Sequence, residues 1–283
     1  MRKRITGVVV LLALGCGMQG SAVAQLRHQE DSSTLHHMSQ GVISSLSWYD
    51  IPVGFMWLSQ RNFPIAPSPK IPFPAAGLDI EIQRRLAGTG AASPGSVDPH
   101  LFPQIAFAVR FLYTLAADEF SDQDIDARDY QRAFVFYKSV LYTHTLTELV
   151  KNITRRQRPD NSDDRSFFSG HTSLTFATSA FLFREIDHAL DEGSWLRSSP
   201  ALRTALKLSA AAMLYGWAGY VGYSRILDNK HFLSDVLVGA AVGALIGNIM
   251  YNGYFSEESS IPAHFGLGYI QSAPALSVVV PLN

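Results

Sequence analysis

The stretch from Phe232 to Asn252, FLSDVLVGAAVGALIGNIMYN, decides the fold. Its Ala, Leu, Val and Ile residues fall at helical spacing. Gly239, Gly243 and Gly247 recur every four residues, so they lie along one face, where the missing Cβ lets a neighbouring helix approach closely. Working back along the chain, residues 101–117, 127–152, 172–190 and 201–222 carry the same periodicity, which predicts an all-α helical bundle. The cleanest uncharged runs, Leu208–Gly222 and Val236–Met250, are about 15 residues, below the ~17–25 of a spanning helix. Arg110, Lys138 and Glu148 interrupt the others, so these segments are expected as buried core helices. After the bundle, HFGLGYIQ and ALSVVVPL read as two short strands of a C-terminal β-hairpin.

The 283 residues are 47% hydrophobic, with 23 basic against 24 acidic side chains, which excludes a disordered chain and a nucleic-acid-coating one. At the start, Met1-Arg2-Lys3-Arg4 is a basic n-region, Ile5–Met18 an apolar run, and Ala22-Val23-Ala24 a small-x-small cleavage site. Residues 1–24 are therefore expected to be a removable signal peptide, with export to the periplasm. Its removal takes away Arg2, Lys3 and Arg4 and leaves 20 basic against 24 acidic groups; it also removes Cys16, the only cysteine, and with it any thiol chemistry. Residues 25–99 follow as a polar and proline-rich segment: Pro52 argues against a continuous helix through Trp48–Leu58, five prolines crowd Asn62–Ala75, and 87–99 read as a loop. The catalytic helical domain is placed at 100–255 and the tail at 256–283.

Three polar clusters sit at the ends of the predicted helices. The first is Lys151-Asn-Ile-Thr-Arg-Arg-Gln-Arg158-Pro159, cations that could simply complement a helix C-terminus. The second is Ser169-Gly170-His171 ahead of an apolar helix, where Ser169 is placed to cap and the first amides to face an anion. The third is Ser224-Arg225 followed by His231 and Asp235, four apart and so on one helix face. There the carboxylate can accept one ring N–H and leave the other nitrogen as nucleophile or base, while Arg225 can offer a fork to phosphate. Each cluster alone fits an ordinary structural role.

Together they form the ordered pattern K-x6-R-P, S-G-H, S-R-x5-H-x3-D, which resembles the signature of the type 2 phosphatidic acid phosphatase (PAP2) and vanadium haloperoxidase superfamily over roughly residues 100–252. The wording around His231 is most similar to the lipid-phosphate branch. The resemblance implies a helical bundle and a metal-independent phosphatase acting on phosphomonoesters, with a lipid phosphate or an isoprenoid diphosphate as substrate. It implies His231 as nucleophile forming a phosphohistidine, Asp235 as its orienting partner and His171 as general acid. Lys151, Arg158, Ser169, Gly170 and Arg225 would hold the phosphate oxygens. One departure stands out: Phe168 precedes Ser-Gly-His where the family usually has proline.

The resemblance implies no cofactor, with vanadate as an inhibitor, or as a cofactor if the chain is a haloperoxidase. Two competing readings are a broad-specificity periplasmic acid phosphatase and a non-catalytic binder of anionic lipid. Peripheral or integral membrane association is expected, and no nucleic-acid partner. Asp122, Asp124 and Asp126 alternate like a calcium loop, but Ala127 and Ala133 occupy the positions that need Gly and Glu, so a solvated linker ending in a helix start is expected.

Overall fold

A computed structural model describes residues 34–62, 74–75, 77–88, 101–121, 124–193, 198–255, 264–270 and 273–279. The expected signal peptide and most of the proline-rich stretch lie outside the described residues. Three helices precede the predicted bundle: α1 (Thr34–Ser45), α2 (Asp50–Asn62) and α3 (Gly77–Leu86). The bundle itself is α4 (Leu101–Phe120), α5 (Ala127–Thr154), α6 (Gly170–Glu192), α7 (Pro200–Leu227) and α8 (Leu233–Phe255). The chain closes with an antiparallel hairpin, β1 (His264–Ile270) and β2 (Ala273–Val279), in the register His264 opposite Val279 and Ile270 opposite Ala273.

Helix α2 corrects the expectation at Pro52. The proline falls in the first turn of Asp50–Asn62, where its missing amide would have had no intrahelical acceptor, so it starts the helix instead of breaking it. Asp126 accepts from the amides of Arg128 (2.7 Å) and Asp129 (3.3 Å), and Asp129 accepts in return from the Asp126 amide, a capping box that starts α5. The acidic stretch thus ends as a helix cap.

The glycine stripe of α8 lies on the backbone of α6. A Cβ on Gly239 would sit 2.8 Å from the carbonyl oxygen of Ser169, one on Gly243 2.1 Å from that of Ser173, and one on Gly247 2.5 Å from that of Ala177. The two helices match residue for residue at a spacing of four, so the approach holds over three turns. This contact fixes the start of α8, with Asp235, against the start of α6, with Ser169. Aromatic packing around Phe136, Phe181, Tyr251 and Phe255 fills the other half of the bundle.

The helices are not wholly buried, as their run lengths suggested. Ile105, Val109 and Leu112 of α4, Leu208, Met213 and Trp217 of α7, and Leu237, Leu245 and Ile249 of α8 all point outward. Among the described residues α8 is the one helix long and apolar enough to cross a membrane, and only 33% of its most apolar window is buried. A run of uncharged residues leaves out the flanks that lengthen the helix, and its outward face is defined only by the packing.

Candidate active site

Four helix ends meet at one end of the bundle. Lys151 lies in the last turn of α5, Ser169 caps α6, Arg225 lies in the last turn of α7, and Asp235 lies in the first turn of α8. Local geometry explains how the chain delivers them. Helix α5 ends at Arg155 in the left-handed region (φ 44°), which turns Arg156 and Arg158 back across the bundle end. After α7, the carbonyl of Arg225 accepts the amides of both Lys230 (3.1 Å) and His231 (3.2 Å), folding His231 onto the arginine that precedes it.

His231 is 1% exposed. Its Nδ1 lies 2.7 Å from the carbonyl oxygen of Ser166 and 3.7 Å from Oδ2 of Asp235. A carbonyl can only accept, so Nδ1 carries the hydrogen, and in the neutral ring Nε2 is left with its lone pair. The direct orienting partner is therefore the Ser166 carbonyl, and Asp235 acts on the ring through its charge and through Ser166, whose hydroxyl donates to Asp235 at 2.5 Å. Burial pushes His231 down to about 4, against the upward pull of Asp235 and with help from the Arg158 and Lys151 cations.

The cations gather around this ring. Arg158 is close enough to depress Lys151, Arg225 and His231 alike. For Lys151 the largest cause of its lowered affinity for a proton is burial, opposed by Glu148 at 3.5 Å. Arg225 is held by Asp228 at 2.9 Å, and Arg158 by Asp163 at 2.6 Å. The Lys151 ammonium lies 3.2 Å from where a Cβ on Gly170 would stand, so glycine is what lets the cation sit over the first turn of α6. The amides of that turn point toward the positive end of the helix dipole, the end that favours an anion.

Each residue named from the sequence falls at this bundle end, with two refinements. The Ser169 hydroxyl is occupied as a cap, accepting from the Thr172 amide (3.4 Å) and hydroxyl (2.9 Å), while its own amide donates to the Asp235 carbonyl (3.1 Å). His171, half-buried, follows Gly170 in the first turn. Phe168, in the place of the family's proline, is buried at 2% exposure and packs edge-on against Phe167, so it anchors the loop through apolar contact.

Sequence reasoning passed over Arg156, Ser166, Asp79 and Ser234. The guanidinium of Arg156 donates to Asp235 Oδ1 (2.5 Å), to the Ser234 hydroxyl (2.8 Å) and to Asp79 Oδ2 (2.8 Å). Arg156 stands inside the first motif and Ser166 just ahead of the second, and the second arginine of Thr-Arg-Arg-Gln was a usable signal; Asp79 offered none. Among the described residues no group of three or more His, Cys, Asp or Glu side chains is arranged to hold a metal ion.

Known proteins match parts of this chain. Residues 133–258 match the model of the PAP2 superfamily. A 96-residue stretch is 42% identical to a lipid A 1-phosphatase of Porphyromonas gingivalis, covering 34% of this chain and 18% of that protein. A 121-residue stretch is 37% identical to phospholipid phosphatase 2 of Bos taurus, covering 42% of this chain and 39% of that protein. The matches thus span well under half the length of these curated relatives. The crystal structure of a transmembrane PAP2-type phosphatidylglycerolphosphate phosphatase from Bacillus subtilis superposes with a TM-score of 0.47 at 15% identity, over 74% of this chain and 96% of that one. The three motifs that converge at this bundle end all lie within residues 133–258, the segment, a little under half of the chain, that is similar to the PAP2 superfamily.

Proposed function

We propose that this protein is a membrane-associated, metal-independent phosphatase that hydrolyses a lipid phosphate monoester through a phosphohistidine on His231. The observation that carries this reading is the buried imidazole whose Nδ1 is tied to the Ser166 carbonyl at 2.7 Å, which leaves Nε2 as a nucleophile amid Lys151, Arg158 and Arg225. In the first step the Nε2 lone pair forms a bond to phosphorus and the bond from phosphorus to the ester oxygen breaks. His171 gives a proton to the departing alkoxide. The imidazole ring becomes positive, and Asp235, 3.7 Å from Nδ1, offsets that charge. In the second step water attacks phosphorus, His171 takes its proton, and the N–P bond breaks to return the lone pair to Nε2 and release phosphate. Lys151, Arg158, Arg225 and the first amides of α6 hold the non-bridging oxygens as charge spreads. Side-chain cations supply the charge that a metal would otherwise provide.

Two further observations support a lipid substrate. The site lies at the end of the bundle, and the apolar outward faces of α4, α7 and α8 run from it, so acyl chains can lie along the sides while the phosphate enters the cations. The relatives that this chain matches carry lipid A and phospholipid phosphatase names. The test is phosphate release by purified protein in EDTA from phosphatidate, an isoprenyl diphosphate and an aryl phosphate, beside His231→Ala. The proposal expects turnover that survives EDTA, is highest on the lipid and vanishes in the variant. Halide oxidation after vanadate loading, or tight lipid phosphate binding with no release, would replace it.

A further inference from the structure

We infer that Asp79, on helix α3 outside the matched family segment, is a positioning residue that acts on His231 through a buried relay of Arg156, Asp235 and Ser166; this rests on the phosphatase reading above. The relay is continuous. Asp79 Oδ2 accepts from Arg156 Nη2 (2.8 Å) and from the Ser234 hydroxyl (2.7 Å), while Oδ1 accepts the Ser234 amide (2.8 Å) at the start of α8. Arg156 Nη1 donates to Asp235 Oδ1 (2.5 Å), the Ser166 hydroxyl donates to Asp235 Oδ2 (2.5 Å), and the Ser166 carbonyl takes the His231 Nδ1 hydrogen (2.7 Å). The side chains of Asp79, Arg156 and Asp235 are 4%, 3% and 0% exposed, so water does not loosen any link.

Charge counting gives Asp79 a purpose beyond packing. Arg156 alone would neutralise Asp235, and a second buried carboxylate is costly to desolvate. Because Asp79 shares the guanidinium, the trio carries a net negative charge, which leaves Asp235 able to offset the positive ring that forms on His231. The other charges facing that ring, Lys151 and Arg158, are cations, so the trio is its counterweight. Helix α3 and the turn after it also grip the turn that presents His231: Gln83 Nε2 donates to the Ile226 carbonyl (3.0 Å) and to Asn229 Oδ1 (2.7 Å), and the Gly88 amide donates to the Leu227 carbonyl (3.1 Å).

The test is a double-mutant cycle on the full-length protein. Asp79→Asn should lower kcat about tenfold, the scale of losing a group that orients another, with KM unchanged. Combined with Asp235→Asn it should add nothing further, because both act through one link. The acidic midpoint of His231, read by NMR on histidine-labelled protein without substrate, should move lower in Asp79→Asn as negative charge is lost. Additive effects in the cycle, an unchanged kcat, or an unmoved His231 midpoint would each overturn the inference. If Asp79→Asn does not yield folded protein, Arg156→Lys asks the same question: one ammonium keeps the charge but cannot fork between two carboxylates, so kcat should fall with KM held, and an unchanged kcat overturns the relay. A wild-type protein with no turnover, but with the His231 midpoint moving in the variant, would strike the phosphatase reading and leave the relay standing.

Discussion

Replacing Gly243 with alanine separates the contact that assembles the site from ordinary helix propensity. In an exposed helix Gly→Ala stabilises by about 0.5–1 kcal/mol, because the glycine chain loses more freedom on folding. At Gly243 the new Cβ would stand 2.1 Å from the carbonyl oxygen of Ser173, 2.8 Å from its carbonyl carbon and 3.0 Å from its Cα, all backbone that cannot rotate away. Relief requires α6 and α8 to part by about 1 Å, and overpacking of this kind costs about 1–3 kcal/mol. Misplacing catalytic groups by about 1 Å costs on the order of 100-fold in rate, and here α6 carries His171 while α8 carries Asp235. Gly243→Ala should thus lose about 2 kcal/mol in denaturant unfolding in mild detergent and most of its phosphate release. Gly219→Ala, which meets nothing within 4 Å, should be neutral or slightly stabilising and fully active. If Gly243→Ala matches wild type in both assays, the backbone-on-backbone contact does not hold the site together.

Other outcomes follow from the same geometry. His231, pushed down to about 4, stays neutral where a free histidine near 6.5 would be charged, so the acidic limb of kcat/KM should have its midpoint near pH 4. The sign for stability is opposite: between about pH 6.5 and 4 the unfolded chain binds a proton that the folded one refuses, so acidification through that window should cost about 3 kcal/mol, and His231→Asn should flatten the loss measured by unfolding at each pH. Arg158→Ala removes a cation that lowers His231, so it should raise the acidic midpoint as well as weaken substrate binding, seen in the pH dependence of kcat/KM. Asp126→Ala removes the α5 cap and should cost about 1 kcal/mol of stability with turnover unchanged.

The bundle was legible because its signals are local. The five segments are long and rich in apolar helix formers, and the glycines at 239, 243 and 247 announce a close helix contact before the partner is known. The candidate site was legible because its residues stand in contiguous motifs at helix ends. Pro52 misled because proline at a helix start and proline inside one look alike until the boundary is known. Asp79 was silent for a different reason: its partners Arg156 and Ser234 lie 77 and 155 residues away, and nothing local marks a carboxylate that will be buried. Ser166 stands beside the Ser-Gly-His motif, but its part is played by a backbone carbonyl, which no side-chain pattern reports. The outward apolar faces of α4, α7 and α8 depend on which side each helix turns to its neighbours.

A covalent phosphate on His231 is read directly by acid-avoiding rapid quench of the wild-type protein with phosphate-labelled phosphatidate, followed by mass spectrometry of the peptide spanning Arg225–Asp235. The mechanism predicts a transient phosphoryl group on His231 that appears before phosphate release and is absent in His231→Ala. Turnover that proceeds with no label on the chain, or with label on another residue, would contradict it.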